Sequence, residues 1–356
     1  MTENFDQLLD FSKPFNPELF DALVSKTKMN DSNAVITLTR FKNDEQNFMT
    51  IEIILNKCQL KESQLISLNI LENLIDKKYF TFSKEIRQSF ENTILHFIKE
   101  KSQTNDLLLN KFNQIFVKLI LKNHYNKKSE NLIISLIEIS QMNITQAINI
   151  FSIFTLLIQE IFVNTHPKTI KTIYLNNLKN DMLNILSFTN TVLEKGQGME
   201  KPLIGNALNF LTIFFESLSE ESSGYSILNQ NENSLKEKVI ITVQTEIIQF
   251  LVENMLSLLQ SEHTTQSIRS LYTIIKYLQT EYNSIESYNF STVIGSKFCD
   301  FLNLYFGKYQ NSKKVFVNSY SDMNEEEKKF LLEAAHLLSV LSFKKNNVNN
   351  SVNNSV

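Results

Sequence analysis

The sequence predicts an all-α fold made of stacked helical hairpins. Phe112, Ile115, Phe116, Leu119 and Ile120 fall at i, i+3, i+4, i+7 and i+8. Phe154, Leu157, Ile158, Ile161 and Phe162 repeat that spacing about forty residues later, the interval of helical-repeat proteins. Each set lines one side of an α-helix, and neither helix can hide so wide a stripe alone. The chain also has only 6 Gly and 4 Pro, residues on which turns, sheets and phosphate loops draw. Sustained two-residue alternation of the kind strands need is hard to find. A coding bias towards Lys, Asn, Ile and Phe, with no Trp and three arginines (Arg40, Arg87, Arg269), would thin out Gly and Pro in any fold. Periodicity therefore carries the assignment.

Along the chain, Phe5 to Phe11 reads as a short entry helix ended by Pro14 and Pro17. Glu18 to Lys26 and Ser32 to Lys42 form the next pair, followed by Asn47 to Cys58. Lys61 to Lys78 is a strong helix: Leu65, Leu68, Leu71 and Ile75 form its buried stripe, and Lys77 and Lys78 suit the negative end of its dipole. Ser83 can cap a helix running to about Lys101, with Ile86, Phe90, Ile94 and Phe97 inward. Asn105 or Asp106 starts the next, to about His124, before a pair at Ser129 to Gln141 and Ile144 to Asn164. After Pro167 a single long helix is expected from about Thr169 to Lys195, stopped by Gly196-Gln197-Gly198. Pro202 then sits in the first turn of a helix through Leu208, Leu211 and Phe215. Glu220 to Ser234, polar and containing Gly224, reads as a loop between repeats. Leu235 to Gln260, Thr264 to Tyr282, Phe290 to Tyr309 and Asn324 to Phe343 complete the series, and 344–356 reads as a low-complexity disordered tail. Pairing these helices gives roughly seven units of a HEAT-like superhelix, an α-solenoid, over residues 1–343.

The bulk numbers exclude several classes. A net charge of −3 and a pI of 6.0 supply no field to draw nucleic acid or an anionic membrane. Local basic runs such as Lys122, Lys127 and Lys128 read as solvated helix ends. Two cysteines, Cys58 and Cys299, provide neither a disulfide framework nor metal spacing, which suits a reducing compartment. Met1 to Asp10 is acidic and polar, unlike a secretory signal, and the apolar stretch Phe151 to Phe162 is interrupted by Gln159 and Glu160 and too short to span a bilayer. The chain is expected to be soluble and intracellular.

No catalytic, cofactor or metal site is expected. The five histidines (His96, His124, His166, His263, His336) stand far apart, with no HExxH pair, and there is no GxxxxGK[ST], GxGxxG or GxSxG. Cys58 with a distant His could act as nucleophile and base, but at the end of an apolar helix it reads as a structural thiol. Glu325-Glu326-Glu327 opens a helix, where acids complement the dipole. Met142, Met182 and Met255 read as core filler, and the phenylalanines as core rather than a base-stacking platform.

Several segments resemble the amino-terminal repeats of the exportins, the importin-β-superfamily receptors for leucine-rich nuclear export signals. They are Leu8-Leu9-Asp10-Phe11-Ser12, Ile70-Leu71-Glu72-Asn73-Leu74-Ile75 and Lys111-Phe112-Asn113-Gln114-Ile115-Phe116-Val117. Further on, Leu156 to Phe162 with Glu160 is similar to an acidic family helix. Leu178-Lys179-Asn180-Asp181-Met182, Pro202 to Leu208, and Asp322 to Phe330 follow in the family's order, with residues 105–245 as the exportin-like core. Departures stand beside these matches. His124-Tyr125 and Lys128-Ser129 replace a repeated Trp-Pro pair of the family, and Ser217 replaces a further tryptophan. The family solenoid is also about three times as long, and its groove for export signals lies beyond the portion matched here. The resemblance implies nuclear–cytoplasmic shuttling, Ran-GTP bound on inner helices, and protein cargo or other transport factors as partners, with no membrane, direct nucleic-acid or cofactor role. It implies a truncated relative without the signal groove. On this reading Glu72, Asn73, Lys118, Lys122 and Glu160 face the concave side and touch the GTPase. The alternative is an interaction scaffold that kept the fold and lost Ran and cargo.

Overall fold

The computed structural model describes residues 4–102, 107–125, 132–141, 143–162, 168–195, 200–225, 245–281, 292–304 and 325–342. These form α-helices and short 3₁₀ turns, with no strand among the described residues. The all-α, helical-repeat class read from the sequence is the class the structure has. Two compact units are present, Met1–Lys128 and Ser129–Val356.

The first unit opens with a 3₁₀ turn, Phe5–Leu9, shorter than the entry helix expected to Phe11. The Asp10 carboxylate accepts from the Ser12 hydroxyl at 2.5 Å and its backbone N–H at 3.3 Å, a local pattern that competes with helix. Helix α1 (Pro17–Lys28) is started by Asn16, whose Oδ1 accepts from Leu19 N at 3.0 Å, with Pro17 where no donor is needed. It stops at Asn30, which takes the left-handed φ of 58° that Asn tolerates. Helix α2 (Ser32–Asn43) is capped by Asp31, accepting from Ala34 N at 2.9 Å.

The expected helix Asn47 to Cys58 is two pieces, a 3₁₀ turn Glu45–Thr50 and helix α3 (Ile51–Lys57). The cause is Asn47. Its buried amide donates to Phe41 O at 3.1 Å and Lys42 O at 3.2 Å, tying that turn to the end of α2. Helices α4 (Lys61–Lys78) and α5 (Lys84–Lys101) have the predicted bounds, and Ser83 caps α5 through Ile86 N at 3.4 Å. Helix α6 (Leu107–Tyr125) follows. The pairs α1–α2, α3–α4 and α5–α6 pack within themselves, and α4 stacks on α6.

The second unit contains α7 (Leu132–Ser140), α8 (Ile144–Phe162), α9 (Lys168–Asn177), α10 (Lys179–Glu194) and α11 (Lys201–Tyr225). After them come α12 (Thr245–Ser257), α13 (Thr264–Glu281), α14 (292–304) and α15 (Glu325–Ser342). One layer runs α8, α11, α13, α15, and a second runs α7, α10, α12. The single helix expected from Thr169 to Lys195 is broken at Leu178. There ψ opens to 0° and the side chain is fully buried, directly after Asn176 and Asn177, which are weak helix formers. The loop expected from Glu220 is helical as far as Tyr225. Its remainder and the tail 344–356 lie outside the described residues.

The two stripes that predicted the fold are core. Phe112, Ile115, Phe116, Leu119, Ile120, Phe154, Leu157, Ile158 and Ile161 are all buried, while Phe162 is half-buried. Phe97 on α5 stacks on Phe112 of α6 with ring centroids 5.0 Å apart, and Phe151, Phe154, Phe188 and Phe210 join α8, α10 and α11. Helix α8 is long and apolar enough to cross a membrane by length and composition, longer than the stretch read from sequence. Its side chains Ile150, Phe151, Ile153, Phe154 and Leu157 are buried inside the unit, where it packs on α7 and α11.

Cys58 is buried at the end of α3, its thiol donating to Pro17 O at 3.5 Å. Burial, with the Asp21 carboxylate nearby, pushes the thiol up to about 12, leaving no thiolate at neutral pH. Cys299 on α14 is exposed. Titration with a thiol reagent is expected to modify one cysteine per native chain and two after denaturation. Two fast-reacting thiols in the native protein would contradict this placement.

Candidate partner-binding surface on helices α4 and α6

On α4 the buried residues Ser67, Leu68, Leu71, Leu74 and Ile75 define the inward side. Glu72, Asn73 and Asp76 are left towards solvent, Glu72 only partly so. On α6 the inward side is broader, and Lys111, Lys118 and Lys122, at i, i+7 and i+11, follow its half-exposed edge. Because α4 stacks on α6, these two edges meet.

The result is a ladder of charge pairs. Lys111 and Lys118 both reach Glu72, Lys118 at 2.9 Å from Oε1. Lys118 also lies 2.9 Å from Asp76 Oδ2, and Lys122 Nζ donates to the Asp76 backbone carbonyl at 3.0 Å. Burial alone would raise the Glu72 carboxyl, but the two ammonium groups outweigh it and hold it below the ordinary glutamate value. Burial likewise works to lower Lys118, and the Glu72 and Asp76 carboxylates outweigh it and raise it. Both groups stay charged across the neutral range, so the rungs are intact there.

Of the five residues read from sequence, the structure brings Glu72, Lys118 and Lys122 together, with Asn73 exposed beside them. Glu160 stands half-buried on α8 in the second unit. Sequence reading missed Asp76 and Lys111, which complete the ladder. A signal existed: Asp76 is one turn after Glu72, and Lys111 shares the face of Lys118.

No group of three His, Cys, Asp or Glu suited to a metal occurs among the described residues. An open groove of about 500 Å³ on α3 and α5 has Glu52, Glu85 and His96 among its lining residues, with Glu85 and His96 about three turns apart on α5. Both carboxylates sit in first turns, and Glu85 is bonded to its own backbone N–H and to Ser83, as capping requires. This is helix-end chemistry.

Fold and surface together define a helical-repeat protein with a polar, charge-paired face on the stacked helices α4 and α6. No protein-family profile matches the chain. Its similarity to known proteins lies with the exportins. Exportin-1 of Dictyostelium discoideum is 27% identical over 169 residues, which is 44% of this chain and 16% of that protein. Exportin-1 of Schizosaccharomyces pombe is 25% identical over 220 residues, 57% of this chain and 20% of that protein. The chain thus corresponds to a fifth or less of the length of these relatives, and the relationship is exportin-like and partial. Among solved structures, an engineered protein aligns along 96% of this chain and 99% of its own at 12% identity, with a TM-score of 0.24, too low for the folds to be called alike.

Proposed function

We propose that this protein is an exportin-like nuclear transport factor that binds Ran-GTP and takes part in protein export, shuttling between nucleus and cytoplasm. The observation that carries the reading is the similarity to Exportin-1 of two distant organisms. The Glu72 to Lys122 ladder supports it, lying on stacked helices that the family resemblance assigns to the GTPase. Its lysines and Glu72 are aligned and half-buried, with Asp76 exposed beside them, so a folded partner meets a pre-organised polar surface. Glu72, Asn73, Lys118, Lys122 and Glu160 are the proposed contacts, with Asp76 and Lys111 holding three of them in place.

One observation favours a second reading, a scaffold that kept the fold without Ran or cargo. Glu72 and Lys118 already satisfy one another, as a purely structural inter-repeat contact would. Retention of Ran locked in its GTP or GDP form separates the two. The transport reading expects GTP-selective capture by the intact chain, weakened about tenfold or more by charge reversal at Lys118, K118E. If neither form is retained at micromolar concentration, the scaffold reading stands and the transport reading falls.

A further inference from the structure

The geometry points to α15 as a self-association surface: its outward face pairs with the same face of a second copy of this chain, antiparallel and crossing at Ala335. The helix is apolar on two sides. Its inward arc, Phe330, Ala334 and Leu337, is buried, with the Phe330 ring 6.3 Å from Phe301 of α14. His336 marks the border with α13, its ring 5.6 Å from that of Tyr272. The opposite arc is apolar too. Leu332 is 52% exposed and Leu338 39%, Ala335 between them is exposed, and Leu331 is half-exposed. Single exposed leucines are ordinary, whereas four apolar residues on one stripe of one helix form a contiguous patch.

The occupant is argued from the symmetry of that stripe. Leu332 and Leu338 stand three residues either side of Ala335, so this triplet is unchanged by reversing the helix direction, while Leu331 is mirrored by Ser339. A twofold crossing at Ala335 sets Leu332 of one copy against Leu338 of the other. The small Ala335 side chains on the axis permit close approach, and this self-complementarity is what an isologous contact requires. Ser339, also on this face, donates its hydroxyl to His336 O at 2.7 Å and so brings no unsatisfied polar group. Antiparallel pairing also opposes the two helix dipoles.

A single helix pair buries less than the roughly 1,200 Å² of a standard interface, so the association is weak and concentration-dependent. In sedimentation velocity the intact chain is expected to move from 41.4 kDa towards twice that mass as concentration rises. L332K/L338K should remain at the protomer mass with unchanged helical circular dichroism. In a C299S background, A335C is expected to form an interchain disulfide with oxidised glutathione, and K329C, about a third of a turn round the helix from Ala335 and away from the twofold axis, is not. The proposal is overturned if the wild-type mass stays at 41.4 kDa at every concentration. Crosslinking of A335C no better than K329C also overturns it, and the face then belongs to a different partner.

Discussion

Phe154→Ala is expected to lower the stability of the second unit by about 3–5 kcal/mol, the range for deleting a buried phenylalanine. The ring is fully buried in the middle of α8 and lies within 6.4 Å, centroid to centroid, of Phe151, Phe188 and Phe210. Alanine would leave a cavity where α8, α10 and α11 meet, and rigid helices on several sides limit collapse into it. Urea unfolding followed by circular dichroism measures the loss. Phe162→Ala, at the half-buried end of the same stripe, is the internal comparison and should cost markedly less. Equal losses at the two sites would mean that the stripe is not the core.

The second large effect is expected at Glu91. This carboxylate is 3% exposed on α5 and accepts from the Tyr79 hydroxyl at 2.5 Å and from the Asn123 amide at 2.7 Å. Tyr79 also lies 3.1 Å from Asn123 Oδ1, and the Arg87 guanidinium carbon stands 5.8 Å from the centre of the tyrosine ring. The triad joins the turn after α4 to α5 and α6. Glu91→Ala strands two buried donors and should cost about 3 kcal/mol or more, whereas Y79F/E91L/N123L, which removes the three groups together, should cost less. The triad also sets a limit at high pH. Burial, and then the hydrogen bond to Glu91, raise the Tyr79 hydroxyl far above its ordinary value of 10.0. The folded state therefore holds a proton that the unfolded state releases. Tyr79's contribution is complete below pH 10.0 and declines as the pH rises beyond it. Unfolding of wild type and Y79F across that range reads this directly. A wild-type curve no steeper than that of Y79F would refute the arrangement.

These two sites show how far the sequence could be read. Phe154 was legible because its neighbours in the stripe are i+3, i+4 and i+7, a local period that burial enforces. Lys61–Lys78 and the cap at Ser83 were legible for the same reason, each being set within a few residues. Glu91 was not. It follows Phe90 on a helix whose inward set was read as Ile86, Phe90, Ile94 and Phe97, and its partners are 12 and 32 residues away. Nothing local distinguishes a buried glutamate from a solvated one. The break at Leu178 escaped because it needs neither Gly nor Pro, only a buried leucine after two asparagines. On the candidate surface, the family resemblance pointed to Glu72, Lys118 and Lys122. That Lys111 and Asp76 close the ladder depends on how α4 and α6 are staggered, which is fixed only by tertiary packing.

The ladder has a kinetic consequence. Lys111 and Lys118 find their counter-charges in Glu72 and Asp76 of the same chain, so little of their field reaches into solution. A partner approaching α4 and α6 is not pulled in from a distance, and its encounter rate belongs to the unsteered range of about 10⁵–10⁶ M⁻¹s⁻¹. Added salt should hardly slow its arrival. Whatever selectivity this face has is then exercised after contact, in how long the complex survives.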